Sequence, residues 1–140
     1  MVTDMKKEKL EDKWGNSSMI MGWTAIPTSL LFLQSELSIT PIGLNVLLNL
    51  ISHWWDSDEH PYPSQESLAK RMGVSKRTIQ REVTNLIANG LIEKQSTKAS
   101  DKKYKGRNTY DLTNLVRLLN EGSVQLSKLK SNKNSSAQRD

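Results

Sequence analysis

Apolar residues recur every three or four positions in two early stretches of the chain, and each stretch follows a helix-start signal. Pro27 stands where a helix can begin without losing a hydrogen bond, and leucines follow it at roughly helical spacing as far as Leu37. Thr40 and Pro41 repeat the signal, as an N-cap hydroxyl followed by proline at the first helical position. The apolar positions after them are Ile42, Val46, Leu47, Leu50, Ile51 and Trp54. The pattern predicts a short helix after Pro27 and a second helix over about residues 41–55.

Two further helices are predicted on either side of Gly73. The first follows a Ser64 cap and runs to Gly73, where a tight turn can use a positive φ. Ser75 caps the second helix, and Gly90 closes it. The positions expected to face the core are Leu68, Met72, Val74, Ile79, Val83 and either Leu86 or Ile87. Two short helices joined by a glycine turn form a helix-turn-helix unit, which presents its second helix outward.

Strand-like composition replaces the helical spacing after Gly90. Residues 91–97 and 108–112 are predicted to form two strands, joined by a polar, lysine-rich loop over residues 98–107. We interpret this hairpin as the wing of a winged helix-turn-helix. An apolar stripe then predicts a final short helix, and its members are Leu112, Leu115, Val116 and Leu119.

Charge is distributed unevenly along the 140 residues, whose formal net charge is +5. Residues 1–60 carry a net charge of −4, whereas residues 61–110 carry +7. A basic block of this kind is the electrostatic footprint expected of a surface that lies on phosphates. Because the block covers the second helix of the unit and the wing, we expect these two elements to contact double-stranded DNA.

The outward face of that second helix carries side chains suited to base edges. Arginine can donate to guanine, glutamine can pair with adenine, and a threonine methyl can touch the thymine methyl. The predicted base contacts are Arg77, Gln80, Arg81 and Thr84. The predicted phosphate contacts, near the two helix starts, are Ser64, Gln65, Ser75, Lys76 and Thr78. The predicted wing contacts, expected to add affinity rather than sequence choice, are Lys98, Lys102, Lys103, Lys105 and Arg107.

The chain length allows one core, so we expect a single domain that is mainly α with a small β-hairpin. The winged helix-turn-helix is expected over residues 19–121, between a flexible N-terminal arm at residues 1–18 and a disordered basic tail at residues 122–140. The absence of cysteine excludes zinc fingers and thiol chemistry, and no phosphate loop or nucleophile motif is found. The most apolar run, residues 19–33, is too short for a membrane span. We therefore expect a cytoplasmic, nucleoid-associated protein without catalysis, metal or cofactor.

Several segments resemble the winged helix-turn-helix domain of phage and plasmid replication proteins and of small bacterial transcriptional regulators. Those in the unit and the wing are residues 63–69, 73–81, 89–92 and 108–112. Residues 22–27 and 37–44 resemble the lead-in of the same family, so the resemblance covers about residues 20–113. Over the helix-turn-helix and wing alone, the sequence is similar to GntR-type regulators. The resemblance implies DNA binding in the control of transcription or replication, together with a partner protein of either process.

Two alternatives stay open on the sequence alone. The stripe of Leu112, Leu115, Val116 and Leu119 either packs back on the domain or forms the seam of a homodimer. An isologous dimer would place two recognition helices about one DNA turn apart. In addition, winged helices also bind proteins, so the chain could be a protein-interaction adaptor, which predicts weak and salt-insensitive DNA binding.

Overall fold

The computed structural model describes residues 10–56 and 59–137, with side chains described as far as residue 132. A short 3-10 turn at Ser17–Met19 precedes the helices and strands of the domain. The helices are α1 (Thr28–Leu33), α2 (Pro41–Ser52), α3 (Gln65–Met72), α4 (Lys76–Ala88) and α5 (Thr113–Ala137). The strands are β1 (Glu93–Gln95) and β2 (Thr109–Asp111). In the expected N-terminal arm, residues 10–14 are helical, and residues 1–9 lie outside the described part.

The predicted helix starts and the glycine turn are confirmed by their hydrogen bonds and dihedral angles. Thr40 caps α2 and accepts from the backbone amide three residues on, with Pro41 in the first turn. Ser64 and Ser75 cap α3 and α4 in the same way, at 3.0 and 3.1 Å. Gly73 ends α3 in the left-handed conformation, with φ at +69°. Local side-chain chemistry therefore fixes both ends of the turn between α3 and α4.

The core lies among the five helices and the hairpin. Of the positions predicted to face inward, Leu68, Ile79, Val83 and Leu86 are buried. Met72, Val74 and Ile87 are partly buried against the same cluster. The helix-turn-helix unit therefore packs as its spacing predicts, with one face of α4 in the core.

The hairpin is present but shorter than predicted. β1 and β2 pair antiparallel, with Lys94 opposite Tyr110. Leu91 and Ile92, assigned to the first strand by composition, precede β1 and are buried in the core. Their apolar side chains pack in the core, and strand pairing begins only at Glu93.

The last helix differs from the expected short one. It runs to Ala137, so residues from 122 onward, expected to be a disordered tail, are helical through residue 137. Gly122 lets α1 approach α5 closely, because a Cβ there would lie 2.5 Å from Leu33 Cδ1. Leu126 is also partly buried against the core. These tertiary contacts stabilise a helix in a segment whose polar composition alone favours disorder.

The apolar stripe of α5 packs back on the domain. Leu112, Leu115 and Leu119 are buried, and Val116 alone of the four stays substantially exposed, at 38%. These three leucines are therefore not available to form the homodimer seam considered from the sequence, because they are already buried in the core of the domain.

Candidate nucleic-acid interface

One face of α4 is presented to solvent while the opposite face is buried. The four predicted base contacts are all exposed and together line a single shallow groove: Arg77, Gln80, Arg81 and Thr84. The Thr84 hydroxyl donates a 2.8 Å hydrogen bond to the Gln80 carbonyl in the preceding turn. With its hydroxyl so engaged, Thr84 is suited to contact a thymine through its methyl group.

A buried carboxylate, which sequence reasoning missed, holds α4 against the start of α2. Glu82 is 9% exposed, and its Oε2 accepts a 2.7 Å hydrogen bond from Thr40 Oγ1. The same Thr40 oxygen accepts from the Gly43 amide at 2.9 Å. A Cβ at Gly43 would lie 3.0 Å from Thr40 Oγ1 and 3.2 Å from Glu82 Oε2, so a larger residue there would require the hydrogen-bonded pair to shift by a few tenths of an ångström. One sequence signal was available: Glu82 falls on the buried stripe, three positions after Ile79.

The predicted phosphate contacts divide into two groups. Ser64, Gln65 and Lys76 line one cleft at the start of α3, and the wing residues Lys105 and Arg107 line the same cleft. Ser75 and Thr78 lie outside it at the start of α4, where their hydroxyl oxygens are 2.9 Å apart. The fold thus gathers residues of the helix-turn-helix and of the wing at one place.

Contacts of residues 101–104 hold the wing loop in place. Tyr104 packs edge-on against Tyr62, with the ring centroids 5.0 Å apart. Asp101 accepts hydrogen bonds from the backbone amides of Lys103 and Tyr104. Lys103 Nζ lies 3.4 Å from Glu59 Oε1, and this hydrogen bond and charge raise the pKa of Lys103. Lys103, predicted as a wing contact, is therefore engaged within the protein.

The other wing cations are placed differently. Lys98 and Lys102 are exposed but lie outside the cleft, whereas Lys105 and Arg107 line it. At the tip, Lys105 and Gly106 both have positive φ, of 51° and 82°. This tight turn directs the end of the loop toward the start of α3.

Residues 37–92 match the family described as a helix-turn-helix domain. Within this matched segment, α3 and α4 form the helix-turn-helix. Its fold is similar to the crystal structure of the N-terminal domain of DnaD protein from Geobacillus kaustophilus HTA426, with a TM-score of 0.59. The two chains are 22% identical, and the match covers 83% of this chain and 93% of the other. No curated protein matches the sequence.

The matched segment contains α2, α3 and α4, and it therefore includes the predicted base contacts. It ends at residue 92, so the wing and α5 lie beyond the matched segment. The helices and two-stranded hairpin of this chain, together with the similarity of its fold to that structure, confirm the predicted winged helix-turn-helix fold. The roles of the individual site residues stay predictions.

In the described part of the chain, the His, Asp and Glu residues form no group of three or more that could hold a metal ion. None of its helices combines the length and hydropathy that a membrane span requires.

Proposed function

We propose that this chain binds double-stranded DNA sequence-specifically, with α4 lying in the major groove. The observation that carries the proposal is the two-sided character of α4, whose buried face includes Ile79 and Val83. Its opposite face carries the four exposed polar side chains from Arg77 to Thr84. An α-helix with side chains is about 10–12 Å across, and the major groove is about 12 Å wide. Arg77, Gln80 and Arg81 then contact base edges, and Thr84 contacts a thymine methyl.

The cations around α4 supply affinity that does not depend on sequence. Lys76, Lys105 and Arg107 border the start of α3, and Lys98 and Lys102 extend the basic surface along the wing. If about five phosphates are neutralised per protomer, the logarithm of affinity falls with the logarithm of salt concentration with a slope near −4.5.

The cellular role that we propose is control of transcription or initiation of replication, in a bacterial, phage or plasmid setting. It is supported by the sequence resemblance to replication proteins and small regulators of that kind. The similarity to the N-terminal domain of DnaD supports the winged helix-turn-helix fold on which this proposal depends. The chain acts in the cytoplasm, at the nucleoid, by binding rather than by catalysis.

Selection of bound sites from a random duplex library tests the proposal. The wild-type protein should enrich one motif, and a palindromic motif would show binding as a symmetric dimer. Arg77→Ala and Arg81→Ala should each weaken binding to that motif roughly 5- to 150-fold, the range of one good base contact. Arg117→Ala is the matched control, because Arg117 is an exposed arginine on α5 that pairs with Glu121. Unchanged affinity and motif in both α4 variants would contradict the proposal.

One observation favours the alternative of a protein-interaction adaptor. Trp55 is 81% exposed and lines an apolar cleft together with Trp23 and Trp54. The lining residues of this cleft belong to neither α3 nor α4. For an adaptor, DNA binding would be weak and insensitive to salt, so the salt slope of the wild-type protein separates the two functions.

A further inference from the structure

Arg71 differs from the other cations of the helix-turn-helix because its side chain contacts α2. It lies in the last turn of α3, two residues before Gly73, and lines neither the groove on α4 nor the cleft at the start of α3. Its Nη1 lies 3.0 Å from Asn49 Oδ1 and 3.2 Å from His53 Nε2. This nitrogen carries two hydrogens, so it can donate to both acceptors at once. Arg71 therefore joins the end of α3 to the end of α2.

Both acceptors are held in place by α2. The Asn49 amide group donates to the Asn45 backbone carbonyl at 2.9 Å and to its side-chain oxygen at 2.8 Å, which leaves Asn49 Oδ1 for Arg71. His53 is the C-cap of α2, and its backbone amide donates to the Leu50 carbonyl at 3.0 Å. A guanidinium has no acceptor, so His53 Nε2 must supply a lone pair, and the proton of the neutral ring is on Nδ1. A protonated His53 cannot make this contact.

Two charged groups bear on the His53 ring. Arg71 contacts it from α3, and Asp56 follows three residues later on the exposed loop after α2. The Trp55 ring, whose centroid lies 6.0 Å from that of His53, is uncharged. Burial of the ring and, second, the charge of Arg71 hold the pKa of His53 below its ordinary value of 6.5. His53 is therefore neutral at pH 7, and protonation at lower pH places a second positive charge beside the guanidinium.

The Arg71 contact lies where it can affect the proposed DNA-binding helix. Glu82 ties α4 to the start of α2, and Arg71 ties α3 to the end of α2. Packing between α2 and α3 is sparser than packing between α2 and α4, so a polar contact matters more for the attachment of α3. Gly73 then leads into the cap of α4. A displacement at the end of α3 thus reaches the turn that sets the angle of α4.

We propose that Arg71 is a positioning residue, and that its contact with His53 makes DNA affinity fall in mild acid. Neutral His53 holds Arg71, and with it the end of α3, in the arrangement that fits α4 to the major groove. Protonated His53 releases Arg71, and part of the binding free energy is then spent on restoring that arrangement. This inference rests on the proposed function and adds control by pH to it. A histidine lying on phosphates would have the opposite effect, because its positive charge would strengthen binding in acid.

DNA affinity as a function of pH tests the inference, with the strongest duplex from the library selection and fluorescence anisotropy. Between about pH 7.5 and pH 5, histidine is the side chain whose ordinary pKa lies in the range. Wild-type binding should weaken about threefold, within the range for loss of one hydrogen bond. His53→Gln keeps an oxygen that accepts from Arg71 but does not titrate, so its profile should be flat. His60→Gln is the matched control, because it removes the other of the two histidines and should leave the wild-type fall in place.

Arg71→Ala separates positioning from direct contact with DNA. It should flatten the pH profile and weaken binding at neutral pH, yet keep the wild-type salt slope. Loss of a phosphate contact would instead reduce the slope by about 0.9. NMR titration of the free protein examines the contact without DNA, and the pKa of His53 should be higher in Arg71→Ala than in the wild-type protein, since a neighbouring positive charge has been removed.

Several results would overturn the inference. They are a flat wild-type profile, tighter wild-type binding in acid, and a His53→Gln profile that falls as steeply as that of the wild-type protein. A reduced salt slope or an unchanged pKa of His53 in Arg71→Ala would overturn it as well. If Arg77→Ala and Arg81→Ala still weaken binding in any of these cases, the proposed function stands without it. If the library selection enriches no duplex, both proposals fail.

Discussion

The hydroxyl of Thr40 donates a 2.7 Å hydrogen bond to the carboxylate of Glu82, across 42 residues of sequence. The same oxygen accepts from the Gly43 amide, so one side chain both starts α2 and anchors α4. The carboxylate lies at the positive end of the α2 dipole, which favours its charge. The orientation of the proposed DNA-binding helix therefore depends on a contact made by its buried face, away from the predicted base contacts.

Removal of this hydroxyl should destabilise the domain. Thr40→Val deletes the cap of α2 and leaves a buried carboxylate without its donor, which together should cost about 2 kcal/mol or more of unfolding free energy. Urea unfolding measures the change. Thr40→Ser is the matched control, because it keeps the hydroxyl and should lose much less. Equal stabilities of the valine and serine variants would show that the hydrogen bond contributes little.

The Thr84 methyl should influence base preference without affecting the helix. Thr84→Ser keeps the hydroxyl that donates to the Gln80 carbonyl but removes the methyl. We expect loss of preference for thymine at one position of the selected motif, at the low end of base discrimination, about 1 kcal/mol. Thr84→Val retains a methyl in this position and should keep the preference. Repeating the library selection with both variants checks this, and an identical motif for Thr84→Ser would place the contact elsewhere.

The wing lysines should contribute unequally to DNA binding. Lys105 lines the cleft beside the start of α3, whereas Lys103 is paired with Glu59 and lies 5.3 Å from the Tyr104 ring centre. Lys105→Ala should reduce the salt slope by about 0.9, the value for one phosphate contact. Lys103→Ala should change the slope less, because that lysine already has a partner. Fluorescence anisotropy over a series of salt concentrations measures both, and equal changes would mean that Lys103 leaves Glu59 on binding.

Asp111 should make stability depend on pH in the acid range. Hydrogen bonds from the side chain and backbone amide of Thr113 hold the pKa of Asp111 below its ordinary value of 3.8. A carboxyl with a lowered pKa in the folded state stabilises the protein above the unfolded-state pKa and loses that contribution as pH falls through the folded-state value. We expect wild-type protein to be more stable than Asp111→Asn at neutral pH, with the difference shrinking below about pH 4.

Thermal unfolding of both proteins at several pH values measures this difference in stability. The difference should be small, because the Asp111 side chain is partly exposed and hence screened by solvent. A gap between the two proteins that stayed constant down to pH 2 would assign the effect of the substitution to something other than the charge.

The sequence by itself determined the elements whose causes are local. Ser64 and Ser75 bond amides three residues away, and Gly73 takes a dihedral angle that other residues avoid. The spacing of Ile79 and Val83 fixed which face of α4 is buried, and so which face is exposed. Each of these features is set within about one or two helical turns, so residue order alone is sufficient to predict them.

Only the tertiary structure decided which distant groups meet. It paired Glu82 with Thr40, and it extended α5 beyond residue 121 by packing Leu33 against Gly122. It also buried the leucine stripe of α5 and separated Lys103 from Lys105, although the two lysines are near neighbours in sequence. Such contacts join segments far apart along the chain or depend on the path of a loop. Their existence follows from how the elements pack, which local periodicity and capping do not specify.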